Sequence, residues 1–282
     1  VKRRPRFPVP PGLLAATPAA ETPNPRLIQV ELIPHTETEL EVIAHRGFSA
    51  VAPENTLAAV QAALDAGAHA VEWDLQTASC GTPVLFHDPH LGRTSNGFGP
   101  VRRRTLGQLQ ALDVGSWFSP EFQGEKIPSF AEALQMVSGS EAHVYAEVKG
   151  YRELEDLDRM VRIVQDAGMI ARTHFISLDF GIVDRIAGQD AEVGIGYVVD
   201  DANEVDEAIR KAGELGERGM VDYDRTLVLQ DPGLVERTLS TGADVAVWTV
   251  DDTGEADRLR AAGVRRFTTN QVAAFVEWAS AQ

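Results

Sequence analysis

The chain has 282 residues, with 26 lysines and arginines against 42 aspartates and glutamates, so its formal charge is −16. With 44% apolar and 24% charged residues it is composed like a globular protein, which excludes disorder of the whole chain. The acidic excess repels nucleic-acid backbones and anionic lipid surfaces, so neither is expected as a partner, and one cysteine, Cys80, excludes an internal disulfide, a zinc ribbon and thiolate clusters.

Residues 1–26 hold seven of the fifteen prolines and five basic residues against one acid, Glu21. Such a stretch cannot offset its ordering entropy, so a flexible Pro-rich arm is expected over residues 1–40, ahead of a folded part with a charge of about −20. The basic start Lys2-Arg3-Arg4 is only faintly like a secretory leader, because Pro8, Pro10, Pro11 and Pro18 interrupt the apolar run behind it. No window reaches about eighteen uninterrupted apolar residues, so no integral membrane segment is expected. The expected location is cytoplasmic, with secretion as the alternative. The oligomeric state is not legible.

From Glu41 onward short apolar runs alternate with longer segments of helical period, the pattern of an α/β protein with a parallel sheet. The runs fall near 42–46, 70–76, 83–87, 143–149, 173–178, 192–199, 219–223, 244–250 and 265–269. Six residues, 77–82, separate the second from the third. A parallel crossover needs a dozen or more, so these two are expected to form an antiparallel hairpin. The other eight can all be parallel over about 230 residues, close to the usual length of a (β/α)8 TIM barrel, which is the expected fold over residues 41–282. Leu57, Val60 and Leu64 recur at helical spacing and stop at Gly67; Leu154, Leu157, Val161 and Val164 stop at Gly168. Gly242 and Gly263 each precede a strand in the same way. Residues 88–128 break the pattern and are expected to form a small insertion over one barrel end. Its Leu91, Phe98, Leu106, Leu109, Leu112, Val114, Trp117 and Phe118 either pack it onto the barrel or line an entrance for an acyl chain.

Side chains alternate faces along a strand, so Val71, Trp73 and Leu75 share one face and Glu72, Asp74 and Gln76 the other. The apolar face must meet the helices, which points two carboxylates into the barrel. The same parity in residues 144–149 sends Glu147 and Lys149 inward. Three converging carboxylates without cysteine suit Mg2+ or Ca2+ better than zinc; the plain alternative is a solvated strand face. His45 and His87 each follow a strand at the same rim, and two histidines flanking a bond can supply one base and one acid. Arg46 and Lys149 are cations beside the carboxylates, placed either to anchor a phosphate or simply to neutralise charge. The remaining histidines, His35, His69, His90, His143 and His174, read as structural or surface groups. The run Arg102-Arg103-Arg104 reads as a solvated loop face.

In this order and spacing, His45-Arg46-Gly47, Pro53-Glu54-Asn55-Thr56, Glu72-Trp73-Asp74, Phe86-His87-Asp88-Pro89 and Glu147-Val148-Lys149 resemble the glycerophosphodiester phosphodiesterases. These are barrel phosphodiesterases of the phosphatidylinositol-phospholipase-C-like kind, and the likeness runs from about residue 42 to 270. It implies one divalent cation on Glu72, Asp74 and Glu147, His45 and His87 as the acid–base pair, and Arg46 and Lys149 on the phosphate of a small-molecule glycerophosphodiester. It also implies that Trp248 lines the substrate pocket and that Asn55 shapes the first loop. The chain departs from the family at Val250-Asp251-Asp252, where asparagine often follows Trp-Thr-Val, and at Thr268-Thr269-Asn270-Gln271, where Thr-Asp is commoner.

The implied reaction is metal-dependent hydrolysis to an alcohol and glycerol 3-phosphate, with His45 expected as the acid and His87 as the base. Attack by the glycerol hydroxyl and attack by water are both compatible with these residues. The alternatives are a related phosphodiesterase acting on lysophospholipids and a non-catalytic barrel that binds phosphodiesters.

Overall fold

The computed structural model describes residues 40–282, so the arm expected over residues 1–40 lies, apart from Leu40, outside the described residues. Strand β1 (Glu41–Ala44) leads through a long loop to α1 (Leu57–Asp65), then β2 (Ala70–Thr77) and β3 (Pro83–Leu85). After the insertion, which holds the short α2 (Leu106–Leu109), α3 (Phe130–Ser138) brings the chain to β4 (His143–Val148). From there the pattern is regular: α4 (Leu154–Asp166), β5 (Thr173–Ser177), α5 (Phe180–Ala187), β6 (Gly194–Val199), α6 (Val205–Leu215) and β7 (Gly219–Asp224). Two helices, α7 (Arg225–Gln230) and α8 (Gly233–Leu239), precede β8 (Asp244–Trp248), and α9 (Thr253–Ala261), β9 (Arg266–Thr269) and α10 (Val272–Ser280) complete the chain.

The strand order is β1-β9-β8-β7-β6-β5-β4-β2-β3, and β1 also pairs with β2. That last pairing closes eight parallel strands into a barrel, while β3 lies antiparallel on β2 with Leu85 opposite Leu75. The expected TIM barrel with an extra hairpin strand is thus the observed fold. Gly67, Gly168, Gly242 and Gly263, the expected helix stops, all have positive φ.

Strand parity sorts the core as the alternation requires. Val71, Trp73, Leu75, Val144, Ala146 and Val148 lie in the shell between barrel and helices, where Trp73 meets Phe130 edge-on at 6.1 Å. A smaller cluster that includes Ile43, Ala70, Tyr145, Ile176, Val198, Met220 and Ala246 fills the barrel itself. Beneath it, at the N-terminal mouth, Glu41 accepts hydrogen bonds from His143 Nδ1 at 2.7 Å and from the Tyr145 hydroxyl at 2.6 Å. Arg266 donates to Tyr145 Oη at 2.8 Å and pairs with both Glu41 and Asp244.

The insertion has its own apolar cluster, in which Leu91, Val101, Leu109, Val114 and Ile127 pack against Ala78, Val84 and Phe86, with Leu106 and Leu112 at its edge. Phe118 is half-buried, whereas Phe98 and Trp117 are 77% and 44% exposed. Among the described residues no helix is long and apolar enough to cross a membrane.

Candidate active site

The loop after β1 is built on left-handed backbone. Arg46 has φ 56°, Asn55 φ 59° and Gly47 φ 77°. The two non-glycine cases cost about 1–3 kcal/mol each and persist only where neighbours over-determine them. At Gly47 any Cβ would sit 2.6–2.8 Å from Ala59, so loop and helix α1 touch where only glycine fits. The turn aims Arg46 N at Glu72, donating to Oε2 at 2.8 Å. Asn55 clamps Asp74 from both sides: its Nδ2 donates to Oδ2 at 2.7 Å, and Asp74 N donates to Asn55 Oδ1 at 3.0 Å. Asn55 therefore shapes the loop by holding a carboxylate.

The register of β2 on β4 sets Asp74 beside Glu147, and Glu72 lies two residues earlier on the same face. One oxygen from each of the three lies within 4.8 Å of the others. Glu72 Oε1 is buried without a hydrogen-bond partner. Burial and the neighbouring carboxylates push Glu72 well above the usual range and also raise Glu147. Burial works the same way on Asp74, but Arg46 and Lys149 outweigh it and hold that carboxyl down. Lys149 Nζ lies 2.6 Å from Glu147 and 3.6 Å from Asp74; Arg46 Nε lies 3.2 Å from Asp74, and its Nη1 donates to Glu54 at 3.0 Å. The all-oxygen donor set, its excess of negative charge and its orphaned oxygen fit a hard divalent cation.

Both expected histidines stand at this rim, and each interacts electrostatically with Asp74. His45 Nδ1 donates to Asn270 Oδ1 at 2.8 Å, which leaves Nε2 as the acceptor of the ring. Burial first, and then Arg46, lower its pKa to about 4. His87 Nδ1 lies 2.6 Å from Asp88 Oδ1. Asp88 is in turn held by Arg93, whose hydrogen bonds lower the carboxyl to about 2.

The sequence model of the Glycerophosphoryl diester phosphodiesterase family matches residues 45–274. The chain belongs to that family. The glycerophosphodiester phosphodiesterase of Caldanaerobacter subterraneus subsp. tengcongensis is 28% identical over 233 residues, 81% of this chain and 93% of that protein. A putative glycerophosphodiester phosphodiesterase of Bacillus subtilis is 47% identical over 94 residues, which span 33% of this chain but only 39% of the relative. Among solved structures, the glycerophosphodiester phosphodiesterase of Agrobacterium tumefaciens superposes with a TM-score of 0.73 at 26% identity, covering 84% of this chain and 99% of that one. An Oleispira antarctica phosphodiesterase in complex with the product sn-glycerol-3-phosphate superposes with a TM-score of 0.76 at 27% identity, covering 85% and 96%.

Several groups at the rim of this phosphodiesterase-family barrel escaped the sequence reading. Asn270 Oδ1 also accepts from Ser49 Oγ at 2.8 Å, while Asn270 Nδ2 and N both donate to Asp251 at 2.8 Å. The two positions that depart from the family pattern therefore meet each other, and together they orient His45. Arg93 grips Glu54 as well as Asp88, tying the first loop to the loop that carries His87. Asp222, on β7, is buried with Oδ1 unpartnered, and burial pushes its carboxyl well above the usual range. Strand parity could have found it, because Met220 faces inward while Val221 and Tyr223 pack outward. Trp248 is half-buried against the inner cluster and donates Nε1–H to the Asp222 carbonyl at 3.2 Å.

Proposed function

We propose that the protein hydrolyses small-molecule glycerophosphodiesters to an alcohol and glycerol 3-phosphate, with Mg2+ or Ca2+ held by Glu72, Asp74 and Glu147 and with His45 and His87 moving the protons. The observation that carries this reading is the three-carboxylate cluster with its orphaned oxygen, flanked at one barrel rim by two histidines whose rings are each held through Nδ1. The product bound to the Oleispira antarctica relative supports the substrate class.

When bound, the cation supplies Lewis-acid neutralisation of the charge that builds on the phosphoryl oxygens. Arg46 and Lys149, paired here with the carboxylates, are the fixed cations available to a phosphate at the same place. His45 is neutral at pH 7 because its pKa is lowered to about 4, so Nε2 is ready to accept the proton of the attacking oxygen, either a water that yields glycerol 3-phosphate directly or a glycerol hydroxyl whose cyclic phosphate a water then opens. His87 then protonates the leaving alcohol, and Asp88 holds the ring and compensates its charge while it carries the proton. This is the reverse of the acid and base roles expected from sequence. Trp248 closes one side of the substrate space.

The test is release of glycerol 3-phosphate from glycerophosphodiesters by the purified protein, after EDTA treatment and again after Mg2+ or Ca2+ is restored. Release only with the restored ion, lost in both His45→Ala and His87→Ala, is expected. Wild-type turnover in His87→Ala, or full release in EDTA, would overturn it.

A further inference from the structure

Outside the acidic centre, between the insertion and the loop after β4, the structure holds a cavity of about 290 Å3, near the lower end of the roughly 300–1,000 Å3 of small-molecule sites. Lys149 lies in its wall, so it opens directly beside the acidic cluster. Gln76, His90, Arg102, Gly150 and Tyr151 also line it, and among the described residues no carboxylate does. In a chain with a formal charge of −16 that is an unusual surface. Arg102 is exposed, in a single helical turn, and forms no ion pair with any described residue. The space is kept open by Gly150, where a Cβ would sit 2.6 Å from Gln76 Oε1.

A phosphodiester has two arms. Asp222 on β7 offers an unpartnered carboxyl oxygen on the inner face, with Trp248 of β8 beside it, and hydroxyl groups suit that side. The cavity lies across the barrel, at the ends of β2 and β4. Resting on the phosphodiesterase reading above, we propose that the glycerol arm lies towards Asp222 and Trp248, that the cavity receives the leaving alcohol, and that Arg102 makes it select hydroxyl-rich uncharged or anionic head groups over cationic ones. A quaternary ammonium there meets Arg102 and no lining carboxylate, Lys149 being paired with Glu147 behind it, whereas a polyol meets donors from Arg102, Lys149 and Tyr151.

The experiment compares kcat/KM for glycerophosphoglycerol and glycerophosphoinositol with that for glycerophosphocholine and glycerophosphoethanolamine, in wild type, Arg102→Gln and Arg102→Glu, at low and high salt. Wild type is expected to favour the polyols about tenfold. Arg102→Glu should shrink that ratio about fivefold or more through a lower KM for the cationic substrates, and salt should shrink it in wild type alone. Cleavage of all four substrates with a ratio that neither Arg102 variant nor salt alters would overturn this inference and leave the phosphodiesterase reading standing. Cleavage of none of them, by folded protein supplied with metal, would overturn both.

Discussion

At the N-terminal mouth of the barrel Glu41 and Asp244 face Arg266, His143 and the Tyr145 hydroxyl, and both carboxylate oxygens of Glu41 have a donor. At the C-terminal mouth the fixed cations beside Glu72, Asp74, Glu147 and Asp222 are Arg46 and Lys149, and one oxygen each of Glu72 and Asp222 has no hydrogen-bond partner. Both sets are buried, yet the pKa of Glu41 moves in the opposite direction from those of Glu72 and Asp222. Burial opposes ionisation of Glu41, but Arg266 and His143 outweigh it and hold the carboxyl well below the usual range. For Glu72 and Asp222 burial outweighs Arg46 and Lys149, and both are pushed well above it. A buried charge that the chain itself matches holds the fold together; one left unmatched marks a place for something the chain does not supply.

Catalysis should break at the unmatched mouth. Asp74→Asn is expected to lower kcat/KM about a thousandfold or more, since a ligand and several kcal/mol of charge stabilisation go together. The accompanying stability measurement separates this from damage: Glu72→Gln relieves a buried repulsion, so the metal-free variant should melt no lower than wild type. A clear fall in its melting temperature would mean that Glu72 is a structural group like Glu41.

The matched mouth should show the converse. Glu41→Gln leaves Arg266 short of one partner and is expected to cost about 3–5 kcal/mol in chemical denaturation. The kcat/KM of the protein that remains folded should stay within about twofold of wild type. Loss of activity without loss of stability would show that the two mouths are not independent.

Much of this contrast was legible beforehand on one side only. Period-two alternation in residues 69–76 and 144–149 sends Glu72, Asp74 and Glu147 inward, and the structure puts them there because Val71, Trp73 and Leu75 must pack under helices. Asp222 obeys the same rule, but the one other acid of its strand, Asp224, caps α7, so the pair does not read as a converging couple. The fold was legible because a six-residue connection admits only a hairpin and the eight other runs are spaced for crossovers. What sequence could not give is pairing across the barrel. Glu41, His143, Asp244 and Arg266 begin four different strands, and Asp251 and Asn270 lie in different loops. Their partnership depends on closure of the barrel, which no local period encodes. For the same reason Asp251 and Asn270 read as two separate departures from the family pattern, when in the structure they are one hydrogen-bonded unit.

That unit sharpens the comparison, because Asp251 sits at the active mouth and is nonetheless fully partnered. If matching rather than location decides a carboxylate's role, Asp251 positions other groups and holds no ion. Asn270→Leu removes the acceptor of His45 Nδ1–H and should lower kcat about 10–100-fold with KM nearly unchanged. Asp251→Asn acts one step further away and should lose less. Asn270→Asp alone sets two carboxylates against each other, so adding Asp251→Asn to it should recover activity by restoring one donor and one acceptor. A double variant worse than Asn270→Asp would rule out the relay.

The smallest effect is a slope in stability against pH, and the two mouths contribute it with opposite signs. The depressed pKa of Glu41 means that its contribution is present above the unfolded value near 4.5 and is lost as pH falls below it. The raised values of Glu72 and Asp222 mean that the folded chain keeps protons the unfolded chain has released. Above the unfolded values of 4.5 and 3.8 their contribution therefore declines as pH rises. The metal-free protein should accordingly melt highest in mildly acidic buffer and less high towards neutrality. Glu72→Gln should flatten the neutral side, and so should Mg2+ or Ca2+, which stabilises by binding the ionised carboxylates of the folded chain alone. A metal-free melting temperature that stays level from about pH 5 to 8 would mean that the upper acids are as well compensated as the lower ones, and the contrast between the two mouths would fall with it.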